Sequence, residues 1–174
     1  DNNLIRENVT INRGTAAKGK TCVGSGNLLM ESVHVAHDAF VGNDCIIGNG
    51  TKLAGEIIID DHAIISANVL MHQFCRVGGY TMVGGGTRFS QDIPPYTICA
   101  REPVAYCGLN LVGLRRRGFS NELIENIHNA YRIIYQGGVP LNEALQKVRE
   151  EVPASPEINY IIEFIENSKR GFVH

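Results

Sequence analysis

Ionisable side chains and a glycine recur at one fixed spacing in the first half of the chain. His37 is followed directly by Asp38, Gly55 comes 18 residues after His37, and Gln73 comes 18 residues after Gly55. A neutral imidazole, with a pKa of about 6.5, accepts a proton at physiological pH, and a neighbouring carboxylate can fix its tautomer. A glycine leaves its backbone N–H open to a developing oxyanion. If the fold brings these positions side by side, they suit general-base catalysis with oxyanion stabilisation.

A six-residue repeat is the element that would position these residues. Counting in sixes from Ile5 to Phe89 gives fifteen positions in one unbroken frame, and every one of them is apolar. The residue four places after each is small or β-branched, with Asn27 as the exception. A helix with about 3.6 residues per turn cannot keep a period of six on one face. A short strand with one inward apolar residue, followed by a tight corner, does keep it, so the pattern favours a β-helix over an alternating β-sandwich.

Three such units would close one triangular coil, and stacked coils would pair as parallel strands about 4.8 Å apart. Residues 18 apart then form columns along one edge of a prism. The three columns of interest are Ala36, Ala54 and His72; His37, Gly55 and Gln73; and Asp38, Glu56 and Phe74. We interpret this edge as the candidate site. The competing interpretation is that exposed corners simply tolerate His and Asp.

The periodicity changes after residue 95, where two consecutive prolines cannot donate ladder hydrogen bonds and so mark an exit from the sheet. Helical spacing of apolar residues predicts a helix over 121–135 with Ser120 as N-cap, a second from near Pro140 to about residue 152, and a third that opens at Ser155. The fold class is therefore all-β with an α-helical tail. The expected domains are a parallel β-helix of hexapeptide repeats at 1–95, a connecting segment at 96–119 and a C-terminal α-helical domain at 120–174.

Composition and charge bound the classes of function. The formal net charge is −2, so no overall basic field favours nucleic acid as a partner. No apolar stretch approaches the roughly 20 residues of a membrane-spanning helix, so we expect no stable membrane insertion. Five cysteines without a C-x-x-C pair indicate small core residues, such as Cys45 and Cys75, in a reducing compartment, and we expect a cytoplasmic protein. The repeat is already under way at Asp1, so we expect further sequence upstream.

Two other groups of side chains suggest ligands. The histidines at 34, 37, 62 and 72 are numerous enough for a zinc site, but His62 falls outside the columns shared by the others, so we expect no metal. Three consecutive arginines at 115–117 form the densest basic run, and the planar arginine fork suits phosphate. A solvated basic turn is the alternative interpretation of that run.

The motifs, taken in order, resemble the UDP-N-acetylglucosamine O-acyltransferase family of lipid A biosynthesis. The resemblance covers essentially the whole chain. The motifs that carry it are His34-Val35-Ala36-His37-Asp38, Leu53-Ala54-Gly55, His72-Gln73-Phe74-Cys75, Gln91-Asp92-Ile93-Pro94-Pro95-Tyr96 and Gly113-Leu114-Arg115-Arg116-Arg117-Gly118-Phe119-Ser120.

The resemblance implies transfer of an (R)-3-hydroxyacyl chain from acyl carrier protein to the 3-hydroxyl of UDP-N-acetylglucosamine, the first step of lipid A biosynthesis. It implies a left-handed coil, a homotrimer with active sites in grooves between prisms, and no metal or diffusible cofactor. His37 matches the general base, Asp38 the residue that orients it, and Gly55 the oxyanion donor. The matched substrate-binding residues are His34, His72 and Gln73 in the pocket, Gly85 at the acyl-length position, and Asn110, Arg116 and Arg117 at the nucleotide and its phosphates.

Two positions depart from the family pattern. Glu56 stands where a His is expected, which makes a catalytic role for that position doubtful, and Val112 stands where an acid near the uracil is expected. Three alternatives remain open at this point. They are the related hexapeptide N-acyltransferase of the same pathway, a zinc-dependent γ-class carbonic anhydrase, and a non-catalytic trimeric scaffold.

Overall fold

The computed structural model describes residues 1–174, and its first half is built from two-residue strands. From β4 to β14 the second residue of each strand points inward and is buried, while the first points outward. The strands are β1 (Leu4–Ile5), β2 (Thr10–Ile11), β3 (Cys22–Val23), β4 (Leu28–Leu29), β5 (His34–Val35), β6 (Phe40–Val41), β7 (Ile46–Ile47), β8 (Lys52–Leu53), β9 (Ile58–Ile59), β10 (Ile64–Ile65), β11 (Leu70–Met71), β12 (Arg76–Val77), β13 (Met82–Val83) and β14 (Arg88–Phe89).

The strands form three parallel sheets, one on each side of a triangular prism. Sheet A has the order β1-β4-β7-β10-β13, sheet B has β14-β11-β8-β5-β2, and sheet C has β12-β9-β6-β3. From β3 onward, partners in the ladder are 18 residues apart, as in the pairing of Cys22 with Phe40 and of Lys52 with Leu70. The predicted parallel β-helix and its stacking of residues 18 apart are therefore confirmed.

The interior of the prism holds one apolar cluster of 21 buried residues. The inward residue of each strand supplies its bulk, and the corners contribute small side chains because the turning backbone leaves little space. Cys45 and Cys75 are both 0% exposed at such corners, so their assignment as small core residues is confirmed. Corner backbones adopt left-handed angles, with φ of 60° at Asp38, 57° at Glu56 and 70° at Phe74. A left-handed non-glycine residue needs compensating contacts, and Asp tolerates the conformation better than most.

The first coil departs from the predicted frame. Strands β1 and β4 pair Leu4 with Leu28, a separation of 24 residues rather than 18. The extra six residues lie in the segment 12–21 between β2 and β3, which we call the inserted segment; Ala17, assigned to an inward position, lies there in an exposed turn. The prediction of fifteen hexads in one frame is therefore wrong at Ala17. The side chains around it are small or polar, and they offer no aliphatic group for the core.

Residues 96–119, predicted only as a connecting segment, contain regular structure. Strand β15 (Thr97–Ala100) pairs in parallel with β13 at the end of sheet A, and β16 (Ala105–Leu109) folds back antiparallel to β15. A short helix α1 (Leu111–Arg116) follows. The two prolines before β15 did not end sheet A; they only separate its last strands from the regular coils.

Three longer helices complete the chain: α2 (Asn121–Gln136), α3 (Leu141–Glu151) and α4 (Pro156–Glu166). The Ser120 hydroxyl accepts from the Leu123 N–H, so its predicted role as N-cap is confirmed, and Ser155 caps α4 in the same way. The apolar faces of these helices meet in a second buried cluster of 16 residues. None of the helices is long and apolar enough to cross a membrane.

Helix α4 is fixed to the prism at the corner between sheets C and A. The Tyr160 hydroxyl donates to Asp60 Oδ2 at 2.5 Å and accepts from the Gly79 N–H at 2.8 Å. The Arg76 guanidinium lies 4.5 Å from the centre of the Phe164 ring. Burial raises the pKa of Asp60, and the hydrogen bond from Tyr160 opposes that rise. These contacts hold the helical tail against one corner and leave the corner between sheets B and C open.

Candidate functional site

His37 and Asp38 lie next to each other at the corner that follows strand β5 of sheet B. The Nδ1 atom of His37 is 2.9 Å from Asp38 Oδ2. The side chain of Asp38 is 0% exposed, whereas that of His37 is 42% exposed. A carboxylate can only accept a hydrogen bond, so Nδ1 carries the proton and Nε2 presents its lone pair to solvent. The imidazole therefore offers a base at Nε2, and the Asp38 carboxylate orients the ring and stabilises its positive charge once it is protonated.

Two threonines of the inserted segment hold Asp38 in place. Thr15 donates from its backbone N–H to Asp38 Oδ1 at 2.9 Å and from its hydroxyl to Oδ2 at 2.5 Å. The Thr21 hydroxyl accepts from the Asp38 N–H at 2.8 Å, which supports the left-handed backbone there. The hydrogen bond from the Thr15 hydroxyl is the main cause that lowers the pKa of Asp38, and it outweighs the effect of burial. Asp38 is therefore a carboxylate at neutral pH.

Gly55 lies one coil above His37, as the column of residues 18 apart predicts. A methyl group built on Gly55 would lie 2.6 Å from Cε1 and 2.7 Å from Nε2 of His37. The imidazole therefore rests directly against the glycine, and any side chain there would displace it. The Gly55 N–H donates no hydrogen bond within the chain, although the Gly55 carbonyl accepts from Phe74 N. Gly55 is buried beneath the His37 ring, and its N–H is left without a partner next to the imidazole.

His72 and Gln73 lie two coils above Ala36 and His37, or roughly 10 Å along the prism. His72 directs Nδ1 to the Gln73 carbonyl oxygen at 3.0 Å, which leaves its Nε2 outward. His34 directs Nδ1 to the Thr10 hydroxyl at 2.7 Å. His72 and Gln73 therefore share the edge with His37, as the columns predict, whereas His34 is the outward residue of β5 on the adjoining face and lines the same cleft as His37.

A cleft of about 490 Å³ opens between the inserted segment and this edge. Its lining residues are Asn12, Arg13, Gly14, Thr15, Ala16, His34, Ala36 and His37. The sequence analysis missed the contribution of residues 12–16 because their segment was read as one more hexad. One feature of the sequence did indicate the departure: the residue assigned to the inward position of that hexad is Ala17 rather than a larger aliphatic residue.

The remaining predicted site residues lie on other corners. Gly85 is exposed at the corner between sheets A and B, three coils from His37. Asn110 is buried as the N-cap of α1, where its amide donates to the Tyr80 carbonyl and accepts from the Gly113 N–H. Its side chain is thus already satisfied within the chain. A contact between this amide and a nucleotide would require it to leave those partners.

Arg117, which directly follows α1, contacts the corner between sheets C and A. Arg117 donates to Nδ1 of His62 at 2.7 Å, and its guanidinium lies 5.8 Å from the centre of the Tyr80 ring. Burial, followed by the charge of Arg117, lowers the pKa of His62, so His62 is a neutral acceptor. Arg116 is exposed beside it, and Val112 is 60% exposed one turn earlier.

The predicted site residues are thus divided among three corners of one prism. His37, Asp38, Gly55, His72 and Gln73 share the corner between sheets B and C, with His34 beside them on sheet B, and Gly85 and Arg117 lie at the other two corners. No three His, Cys, Asp or Glu side chains of the chain come together in a way that could hold a metal ion. His62, in particular, lies at a different corner from the other three histidines considered for zinc.

Comparison with known proteins gives consistent matches. A family model described as UDP N-acetylglucosamine O-acyltransferase, Domain 2, matches residues 92–173. A curated acyl-[acyl-carrier-protein]–UDP-N-acetylglucosamine O-acyltransferase from Aliivibrio salmonicida is 41% identical over 174 residues, which cover 99% of this chain and 66% of that protein.

Solved structures agree with these matches. A UDP-N-acetylglucosamine acyltransferase from Bacteroides fragilis superposes with a TM-score of 0.97 at 74% identity, covering 100% of this chain and 68% of that one. The Arabidopsis enzyme of the same name superposes with a TM-score of 0.94 at 34% identity, covering 99% of this chain and 64% of that one. A mirror-image coil would not superpose in this way, so the predicted left-handed winding is confirmed. The chain spans about two thirds of the length of these relatives.

Proposed function

Because the chain belongs to the UDP-N-acetylglucosamine O-acyltransferase family, we propose that the whole protein transfers a 3-hydroxyacyl chain from acyl carrier protein to the 3-hydroxyl of UDP-N-acetylglucosamine. The observation that best supports this proposal is the arrangement of His37 between the buried carboxylate of Asp38 and the backbone of Gly55. That arrangement combines an oriented base with a free N–H donor beside it. Acyl transfer to a hydroxyl needs both groups.

The reaction follows from the geometry of these three residues. Nε2 of His37 takes the proton of the sugar hydroxyl as its oxygen attacks the thioester carbonyl. Asp38 stabilises the imidazolium that forms, and the Gly55 N–H donates to the oxyanion of the tetrahedral intermediate. Collapse of that intermediate breaks the carbon–sulfur bond, and the proton on His37 passes to the departing thiolate. An oxyanion donor of this kind contributes about 3 kcal/mol to lowering the barrier.

The other predicted residues have supporting roles in this proposal. His34, His72 and Gln73 would contact the sugar and acyl chain along the edge that holds His37 and on the face beside it. Gly85, Asn110, Arg116 and Arg117 would act from a neighbouring subunit, at the acyl end and at the nucleotide. Five free thiols suit the reducing cytoplasm, which we propose as the compartment.

The first experiment measures acyl transfer by the full-length protein. We expect purified protein to move a 3-hydroxyacyl group from acyl carrier protein to UDP-N-acetylglucosamine, detected as a new ester by mass spectrometry. UDP-3-O-acyl-glucosamine, the acceptor of an N-acyltransferase, serves as the matched second acceptor. Transfer only to the amine of that acceptor would replace this proposal with the N-acyltransferase. Transfer to neither acceptor, with carbon dioxide hydration that depends on added zinc, would replace it with the anhydrase.

We further propose that the protein works as a homotrimer. Six apolar side chains point outward from sheet A, and none of them is buried in the single chain: Leu4, Leu28, Ile46, Ile64, Met82 and Ile98. A continuous apolar stripe of this kind is typical of a subunit interface. The separation of His37, Gly85 and Arg117 onto three corners supports the same proposal, because a groove between two prisms can bring different corners together.

Charge on that stripe should separate the subunits. The double variant Ile46→Glu/Ile64→Glu is expected to shift the mass measured by light scattering from three chains to one, because each buried carboxylate would lose its water without gaining a partner. Leu141→Glu is the matched control, since Leu141 is 41% exposed, close to the 36% of Ile46, but lies on the helical tail. A three-chain mass for the double variant would contradict this interface.

A further inference from the structure

The inserted segment meets Asp38 through Thr15 and Thr21, and of these two only Thr15 binds the carboxylate. We infer that Thr15 is a positioning residue, which holds the Asp38 carboxylate so that it orients His37; this inference rests on the proposed function. Thr15 meets Asp38 through both its backbone N–H and its hydroxyl, at 2.9 Å and 2.5 Å. Thr15 makes no hydrogen bond to His37 in this arrangement. Its effect on the reaction would pass through Asp38.

The direction of each hydrogen bond in this chain of contacts is fixed. The Ala17 N–H, which can only donate, points to the Thr15 hydroxyl oxygen at 3.2 Å. The hydroxyl proton is therefore directed to Asp38 Oδ2, which can only accept. The same Oδ2 atom accepts from Nδ1 of His37 at 2.9 Å. The Thr15 hydroxyl and the His37 Nδ1–H thus donate to the same carboxylate oxygen, and a carboxylate held in this place keeps the imidazole in the tautomer with its lone pair at Nε2.

The remaining contacts of Asp38 show why the hydroxyl matters. Oδ1 is held by the Thr15 N–H, and the Asp38 N–H is held by Thr21, so the backbone of the corner stays fixed without the hydroxyl. What the hydroxyl adds is a second anchor on the carboxylate, at the oxygen that also meets His37. With two anchors, the carboxylate cannot rotate about its terminal bond. With one anchor, it can turn Oδ2 away from Nδ1.

Valine in place of Thr15 tests this role, because it keeps the shape and the backbone N–H but removes the hydroxyl. We expect Thr15→Val to lower kcat about tenfold with little change in KM, the scale of one lost hydrogen bond to a charged group. Thr15→Ser keeps the hydroxyl and is expected to restore kcat. Lys18→Ala is the control in the same exposed turn, and it should leave kcat unchanged. Equal activity of Thr15→Val and the wild-type protein would overturn the inference.

A double-mutant cycle separates positioning from a general effect on the fold. If Thr15 acts only through Asp38, then Thr15→Val should lower kcat no further in a protein that already carries Asp38→Asn. A full additional loss in that background would overturn the inference, because it would mean that Thr15 acts by another route.

A spectroscopic measurement does not depend on acyl transfer at all. In the proton NMR spectrum of the wild-type protein we expect a downfield resonance for Nδ1–H of His37, because its hydrogen bond to Asp38 protects this proton from exchange with water. Thr15→Val should broaden or shift that resonance, and Thr15→Ser should retain it. If these changes occur but no acyl group is transferred, the proposed function fails while the positioning role stands. An unchanged resonance in Thr15→Val would overturn the positioning role even in an active enzyme.

Discussion

Replacing His37 with alanine is expected to lower kcat for acyl transfer by about 10²–10⁴-fold, the usual contribution of a general base. The loss should appear in kcat and in kcat/KM alike, because proton removal from the sugar hydroxyl occurs only on the way to the transition state. The side chain is 42% exposed, so its removal leaves no large cavity and the fold should persist. Steady-state kinetics on the full-length protein, with thermal unfolding in parallel, measures both effects.

His128 provides the matched control for that experiment. It lies on α2, its side chain is 57% exposed, and its only ionic neighbour is Glu125 on the same helix. His128→Ala should therefore keep the wild-type kcat. If His37→Ala also kept it, another group would have to remove the proton, and the proposed mechanism would be wrong.

A single methyl group on Gly55 is expected to lower kcat by about 10²-fold, the cost of displacing a catalytic group by about 1 Å. The added carbon would lie 2.6 Å from Cε1 of His37, well inside van der Waals contact, so the imidazole must move. Gly55 does not have a positive φ, so alanine fits its backbone and the N–H donor is kept. The loss in Gly55→Ala would therefore come from the displaced base rather than from a lost oxyanion donor.

Gly138→Ala is the matched change elsewhere. Gly138 lies between α2 and α3, and a methyl group there meets nothing within 4 Å. Its φ of 64° makes alanine slightly strained, so the thermal midpoint should fall while kcat stays unchanged. If Gly55→Ala retained full activity, the close approach of the imidazole to this backbone would have no catalytic importance.

The repeat pattern predicted most of the fold because one physical constraint acts at every sixth residue. Each strand needs one inward apolar side chain, so positions such as Val35, Leu53 and Met71 recur and fix the ladder. The same register places Gly55 above His37, and for that reason this part of the site could be derived before any coordinates. The contact between His37 and Asp38 could be anticipated because the two residues are neighbours in sequence.

The inserted segment escaped prediction for a physical reason as well. It adds six residues, a whole period, so the apolar positions on either side stay in frame and counting cannot detect it. The role of Thr15 depends on that insertion and could not be derived. In the proposed trimer, the distance from Gly85 or Arg117 to His37 of a neighbouring chain depends on how the chains meet, and the repeat of one chain does not encode that.

Because each turn of the prism meets the next through its strand ladders and its inward residues, a corner can be lengthened without altering the phase of the other turns. The ten residues between β2 and β3, where later corners on that edge have four, are an instance. Loops of new composition could therefore be grafted at this corner, next to the cleft, while the other coils keep their pairing and their spacing. Such an architecture lets substrate preference be redesigned separately from stability.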